Sequence, residues 1–136
     1  SRRMAKEQAG SALSFTDPQT IAAYYMEDFR HEEQEKLMVL LLNNRGGLLG
    51  EETISKGTVN GTMVSPREIF LCAMAYHAVS IILLHNHPSG DPTPSREDIS
   101  LTGRVRESGA MLGIELLDHI IIGDHSAVSL RMENLI

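Results

Sequence analysis

Chemically active side chains are concentrated in one short stretch of the sequence, residues 84–98. His85 and His87 are two positions apart, and on an extended backbone residues at that spacing point to the same side. An irregular loop rich in proline and glycine follows, and Asp98 then falls in the first turn of a predicted helix, from which its carboxylate can return to the imidazoles. Two neutral nitrogens and one carboxylate oxygen suit Zn²⁺, and three protein ligands leave a fourth position for water, as in catalytic zinc sites.

Each of these residues also has a purely structural interpretation. A lone histidine at a strand end is usually structural, and Asp98 alone would be an ordinary helix-cap carboxylate, so it is their combination that favours a metal site. The other histidines are weaker candidates. We expect His31 to be solvated, His77 to pack beneath the second predicted helix and His125 to lie in a turn. His119 is predicted to be a hydrogen-bonded structural residue, with support of the metal ligands as its alternative role.

The elements that would position these residues follow from hydrophobic periodicity and turn signals. Continuous apolar runs predict buried strands, because strands covered on both faces do not alternate. Ser95 with Asp98 three residues later resembles a capping box and predicts the start of a helix. The predicted elements are a helix over 18–30, strands over 36–42 and 47–56, a turn over 57–61, a helix over 66–77, a strand over 79–84, a helix over 95–111, and strands over 114–122 and 126–130. This mixture predicts an α/β or α+β sandwich.

Length, composition and cysteine content limit the classes of protein to which this sequence can belong. The sequence has 136 residues with 42% hydrophobic and 22% charged residues, close to the averages of globular domains. A single cysteine, Cys72, excludes an internal disulfide framework and a cysteine-based zinc finger. The longest uninterrupted apolar stretch, 37–42, is far shorter than a membrane span, and no secretion signal is recognisable. We therefore expect a cytoplasmic domain without membrane contact.

The charge balance argues against strong binding of nucleic acid by this chain. The net charge is −6, and the 12 basic residues are dispersed along the sequence. Their only local cluster is formed by Arg2, Arg3 and Lys6. Nucleic-acid-binding proteins normally carry a basic patch or stripe, so we expect weak or no DNA binding.

The spacing of the candidate ligands resembles a known signature. The pattern His-x-His-Pro, six residues, Ser, two residues, Asp, which begins at His85 and ends at Asp98, is similar to the JAMM signature of MPN-type zinc metalloproteases. The fuller string His-Asn-His-Pro-Ser-Gly over 85–90 looks like the bacterial RadC family, whose C-terminal domain belongs to that superfamily. The resemblance covers roughly residues 32–136.

The resemblance implies a fold and a division of the chain. The fold would be an MPN-like sandwich with one mixed, curved β-sheet flanked by helices. Residues 1–30 would be a linker and lead-in helix, and residues 31–136 a RadC/MPN-like metal-binding domain. The sequence starts at Ser1 rather than Met, and we expect it to be a fragment of a longer protein.

The resemblance also implies roles for individual residues. His85, His87 and Asp98 would hold one Zn²⁺ ion. Ser95 would hydrogen-bond to the attacking water or to the oxyanion of a tetrahedral intermediate. Its competing role is the N-cap of its own helix, and one hydroxyl can serve both in part.

The family uses an upstream glutamate, just before the apolar strand, as general acid and base, and Glu35 matches that position. Composition alone does not choose it over Glu51 or Glu52, which lie on the predicted hairpin partner. The implied function is hydrolysis of a peptide or isopeptide bond in an unidentified peptide or protein substrate, through a zinc-activated water. Two alternatives stay open: a DNA-repair-associated or DNA-processing role, and a catalytically silent binding module.

Overall fold

The computed structural model describes residues 15–57 and 64–136, and over these ranges the chain forms three helices and five strands. In chain order they are α1 (Pro18–Phe29), β1 (Glu35–Leu42), β2 (Leu48–Gly57), α2 (Pro66–Ala75), β3 (Ser80–Asn86), α3 (Arg96–Leu112), β4 (Glu115–Ile122) and β5 (Ala127–Ser129). Each predicted helix and strand is present, with boundaries within two residues of those predicted. Most of the predicted N-terminal linker and of the turn over 57–61 lies outside the described residues.

The five strands form one mixed sheet in the order β2-β1-β3-β4-β5. The β3 and β4 strands are parallel, and the other neighbouring pairs are antiparallel. A parallel pair needs a long crossover connection, and here α3 provides it. Six residues of β1 and all seven of β3 are buried. This burial on both faces explains why both strands appear in the sequence as continuous apolar runs.

Helices cover both faces of this sheet. On one face α2 and α3 pack over alternate strand residues such as Leu37 and Leu83. On the other face α1 packs over the intervening residues, among them Leu40 and Leu84. The mixed sheet flanked by helices confirms the predicted fold class. None of the helices within 15–57 and 64–136 combines the length and the apolar character that a membrane span requires.

The position predicted for His77 is wrong. The second helix ends at Ala75, and His77 is exposed, with a φ of 57°. The chain leaves the helix through a left-handed residue, where the His77 N–H donates to the Met74 carbonyl and the Ala78 N–H donates to the Ala73 carbonyl. Such a terminus reverses the chain direction into β3, so helical periodicity no longer applies at this position.

Candidate metal centre

Alternation along β1 and β3 places three candidate residues on one side of the sheet. Leu37 lies opposite His85 in the antiparallel pairing of the two strands, and Leu37 and Leu83 belong to the core beneath α2 and α3. Residues two positions apart share a face. Glu35, His85 and His87 are therefore presented to the side that α3 covers, at the end of the sheet where α3 begins.

Asp98 reaches the same place from the first turn of α3, where a capping box fixes its side chain. The Ser95 backbone N–H donates to Oδ2 of Asp98 at 2.8 Å, and the Asp98 backbone N–H donates to Oγ of Ser95 at 3.1 Å. These bonds satisfy two backbone donors at the helix start. Ser95 thus serves as the N-cap of α3, one of the two roles that the sequence left open, and its role in catalysis stays a prediction.

The carboxylate of Asp98 lies between the two histidine rings. Its Oδ1 is 3.1 Å from Nδ1 of His85, and its Oδ2 is 3.0 Å from Nε2 of His87. The rings are perpendicular, with centroids 4.9 Å apart. One potential ligand atom from each residue lies within 4.8 Å of the other two. The structure therefore brings together the His–His–Asp triad (His85, His87 and Asp98) that the sequence predicted.

The loop after β3 determines which nitrogen of His87 faces Asp98. Nδ1 of His87 lies 2.9 Å from the carbonyl oxygen of Asp91, and a carbonyl only accepts, so Nδ1 carries the proton. In the neutral ring Nε2 then carries no proton and presents its lone pair to a carboxylate oxygen of Asp98 at 3.0 Å. Two acceptors at this distance require a proton or a cation. The hydrogen bond to Asp98 accordingly raises the pKa of His87.

His85 provides the clearest evidence that the triad fits a metal ion. Its side chain is 2% exposed, yet among the described residues neither ring nitrogen makes a hydrogen bond. Each nitrogen faces a carboxylate oxygen, Nδ1 that of Asp98 at 3.1 Å and Nε2 that of Glu35 at 3.6 Å. A buried polar group without a partner costs about 1–3 kcal/mol, and coordination to a cation would offset that cost. Burial raises the pKa of the Asp98 carboxyl, but the two histidines and the Ser95 N–H outweigh burial and lower it well below its usual range. The donor set suits zinc.

A second buried layer supports the triad. The Thr102 hydroxyl donates to the Asp98 carbonyl at 2.6 Å and lies 2.7 Å from Nδ1 of His119. Because its one hydrogen is used on the carbonyl, Thr102 accepts from Nδ1 of His119. The His119 ring lies 5.9 Å from that of His85, and burial lowers the pKa of His119 to about 3, so the ring is neutral. This agrees with the predicted hydrogen-bonded structural role.

Thr102 was not singled out from the sequence. A usable signal exists, because Thr102 follows Asp98 by one helical turn and so shares its face of α3. A polar residue on a face that also carries Leu101 and Val105 of the core indicates a buried hydrogen-bonding partner.

Glu35 lies at the open side of the triad, at the first residue of β1. Its Oε2 is 3.6 Å from Nε2 of His85, and its side chain is 34% exposed. Glu35, Ser95 and the triad line one cavity of about 500 Å³. Asp91 and Glu97 contribute to the same wall, and no Lys or Arg is found among the described residues that line it.

The two other candidate glutamates point elsewhere. Glu52 accepts a hydrogen bond from the Tyr76 hydroxyl at 2.7 Å. Glu51 lies on the opposite face of the sheet beside Tyr25, where burial and then the Glu51 carboxylate raise the pKa of the Tyr25 hydroxyl. Neither glutamate lines the cavity around the triad. Of the three residues that the sequence left open, the structure places only Glu35 beside the histidines.

A mixed sheet flanked by helices, with a largely buried His–His–Asp triad at one end, is consistent with the JAB/MPN superfamily. The RadC-like JAB domain matches residues 15–135, and the chain belongs to that family. This confirms the resemblance noted in the sequence.

Two curated relatives illustrate the similarity. A UPF0758 protein of Desulforamulus reducens is 49% identical over 135 residues, which cover 99% of this chain and 60% of the relative. A UPF0758 protein of Bacillus cereus strain G9842 is 50% identical over 130 residues, which cover 96% of this chain and 58% of the relative. The chain therefore spans about three-fifths of the length of these relatives.

Proposed function

We propose that this domain is a zinc-dependent hydrolase that cleaves a peptide or isopeptide bond. The observation that carries the proposal is the placement of the Glu35 carboxylate 3.6 Å from the His85 ring, in the cavity that contains the triad. A metal-binding triad alone would also suit a bound ion that takes no part in a reaction. A partly exposed carboxylate at its open side adds a group that can accept a proton from a substrate water.

His85, His87 and Asp98 would hold the ion, each through one of the atoms that converge in the structure. When bound in an open site, zinc acts as a Lewis acid toward a carbonyl oxygen and lowers the pKa of water from about 15.7 to about 7. Three protein ligands leave room for this chemistry.

The chain's own residues supply the proton transfers. Oε2 of Glu35 takes the proton from the attacking water and delivers it to the nitrogen of the leaving amine, a role that typically contributes about 10²–10⁴-fold in rate. Oγ of Ser95 uses a lone pair for the Asp98 N–H, so its hydrogen is left to donate to the carbonyl oxygen of the substrate as negative charge develops there.

The acidic wall of the cavity does not favour the DNA-processing alternative. Glu35, Asp91, Glu97 and Asp98 line it, without Lys or Arg among the described lining residues, whereas proteins contact the phosphates of nucleic acid largely through these basic side chains. A peptide backbone carries no net charge, so an acidic cavity wall does not repel it.

The test is measurement of zinc content together with turnover of a panel of peptides and of peptides joined through a lysine side chain. One zinc per chain and cleavage of at least one substrate class, lost on chelation and regained with zinc, supports the proposal. One zinc per chain with no cleavage across both classes would contradict hydrolysis and favour the binding module. Cleavage that survives complete removal of metal would contradict the zinc-dependent mechanism.

A further inference from the structure

Asn86 is the residue between the two histidines, and it is the last residue of β3. Because side chains alternate along a strand, Asn86 projects away from the face that carries His85 and His87. It is 4% exposed, so its amide group requires hydrogen-bond partners within the protein.

Those partners are the backbone groups on either side of Glu35. Oδ1 of Asn86 accepts from the Lys36 N–H at 2.6 Å, and Nδ2 of Asn86 donates to the Gln34 carbonyl at 3.1 Å. The paired register of β1 and β3 ends at Leu37 and His85. Beyond that point the side-chain amide takes the place of a backbone peptide group and extends the contact between the two strands.

The residue type matters for this contact. A primary amide both donates and accepts, whereas a carboxylate only accepts. The donor of Lys36 and the acceptor of Gln34 fix the orientation of the amide, with oxygen toward one and nitrogen toward the other. Aspartate would keep the bond to Lys36 and would place a second acceptor against the Gln34 carbonyl.

We propose that Asn86 is a positioning residue for Glu35. This inference rests on the proposed function, in which Glu35 carries the proton. Asn86 ties the backbone immediately before and after Glu35 to the strand that supplies His85, so it links the position of the carboxylate to that of the triad. Catalytic geometry is sensitive at this scale, since a displacement of about 1 Å can cost about 10²-fold in rate.

Other contacts also hold this part of the chain. The segment before β1 is tied down by Glu32, whose carboxylate pairs with Lys36 at 3.4 Å and with Lys56 at 3.3 Å. These ion pairs join partly exposed side chains, so they constrain the backbone at Glu35 less directly than hydrogen bonds to its neighbouring peptide groups do. The β1–β2 ladder also reaches Glu35, which lies opposite Gly57. The bonds from Asn86 are those that join the backbone on either side of Glu35 to β3, the strand that carries His85.

The experiment compares Asn86→Ala with Asn43→Ala in the zinc-loaded protein. Asn43 is the matched control, because its side chain accepts from the Arg45 and Gly47 N–H groups just beyond the other end of β1. For Asn86→Ala we expect kcat to fall by about 10–100-fold, with KM and zinc content unchanged. Asn43→Ala should leave kcat near the wild-type value.

A double variant separates positioning from a general structural effect. In the Glu35→Gln background the carboxylate is already lost, so adding Asn86→Ala should lower kcat no further. An equal fall of kcat in both backgrounds would overturn the proposal, because Asn86 would then act by another route. An unchanged kcat for Asn86→Ala in the otherwise wild-type protein would overturn it as well.

A second readout does not depend on hydrolysis. In NMR spectra we expect a nuclear Overhauser contact between the Glu35 side chain and the His85 ring, and slow exchange of the Lys36 amide. Both should be lost in Asn86→Ala and kept in Asn43→Ala.

If the wild-type domain hydrolyses nothing, the proposed function fails, and these NMR signals still decide the role of Asn86. If Asn86→Ala does not fold, Asn86→Asp keeps the shape and the bond to Lys36 but repels the Gln34 carbonyl. It should lose the Glu35–His85 contact while the Lys36 amide still exchanges slowly; persistence of that contact would overturn the proposal.

Discussion

Oε2 of Glu35 lies 3.6 Å from Nε2 of His85, across the end of the β1–β3 ladder. The two residues belong to different strands, and no spacing within either strand reveals their approach. The relationship follows from the antiparallel register that sets Leu37 opposite His85. It places a partly exposed carboxylate next to a buried ring whose nitrogens make no hydrogen bond among the described residues.

Replacing Glu35 with glutamine should separate metal binding from chemistry. The amide cannot take up the proton of water, so amide hydrolysis should fall by about 10²-fold or more, which is roughly 2.7 kcal/mol of transition-state stabilisation. Zinc content should stay at the wild-type level, because Glu35 is not in the triad. Kinetics with metal analysis measure both quantities.

The controls for Glu35 are the two glutamates of β2. Glu51→Gln and Glu52→Gln should change the rate much less, since their carboxylates face Tyr25 and Tyr76 instead. Near-normal turnover by Glu35→Gln, together with collapse in either of the other variants, would show that the proton carrier lies on the hairpin partner.

Removing one member of the triad should remove the metal. We expect the wild-type domain to bind one zinc ion per chain, and His87→Ala and Asp98→Ala to bind none at micromolar concentration. The metal-free variants should keep their fold, because the two cores on either side of the sheet do not depend on an ion. Elemental analysis and circular dichroism test this, and full zinc occupancy in a variant lacking both His85 and His87 would refute the assignment.

Thr102→Val should weaken zinc binding without altering any ligand. The valine keeps the shape of the side chain but leaves Nδ1 of His119 without the acceptor that holds it, and this ring packs beneath His85. Losses of about 10–100-fold in metal affinity are typical for partners that orient metal ligands. Ser129→Ala is the matched control, because it removes a buried hydroxyl bonded to Asp118; an equal loss of affinity there would point to a general effect of stability.

The stability of the domain should fall in strong alkali because of Tyr25. Burial raises the pKa of this hydroxyl, and Glu51, Tyr24 and Asp28 raise it further. In the unfolded chain the phenol ionises near pH 10, so the folded state binds the extra proton above that pH and loses stability as pH rises. The slope for one proton is about 1.4 kcal/mol per pH unit. Chemical denaturation should therefore show stability that falls toward this slope above about pH 10 in the wild type and falls less steeply in Tyr25→Phe.

Binding of duplex DNA should be weak. With a net charge of −6 and an acidic cavity wall, we expect a Kd no tighter than ordinary non-specific binding, about 10⁻⁴–10⁻⁶ M near physiological salt. Titration of labelled DNA with this chain tests the expectation, and nanomolar affinity that depends steeply on salt would contradict it.

The sequence was sufficient for elements whose signal is local. The apolar runs identified β1 and β3 as buried strands, and the spacing of two between His85 and His87 correctly placed them on one side. Ser95 and Asp98 marked the start of α3 because a capping box is a property of four consecutive residues. These features need no knowledge of which strands are neighbours.

Other parts of the site depend on register between distant strands. Glu35 could not be separated from Glu51 and Glu52 by the residues alone, because the choice rests on how β1 pairs with β3 and β2. Asn86 was missed since its partners are backbone atoms of another strand, which carry no sequence signal. His77 was misplaced because the helix pattern does not show where a left-handed residue ends it.

The capping box of α3 has a thermodynamic consequence. Asp98 holds the first turn of the helix through the Ser95 N–H and contacts both histidines with the same carboxylate. Opening of that turn would withdraw a metal ligand, so metal occupancy and the local unfolding of the helix start are linked equilibria. A ligand that binds only the closed form stabilises it by RT ln(1 + [L]/Kd). The free energy of opening measured by hydrogen exchange at the amides of Asp98 and Ile99 should therefore rise with the logarithm of free zinc once zinc exceeds its Kd. The beginning of α3 would then report the occupancy of the site.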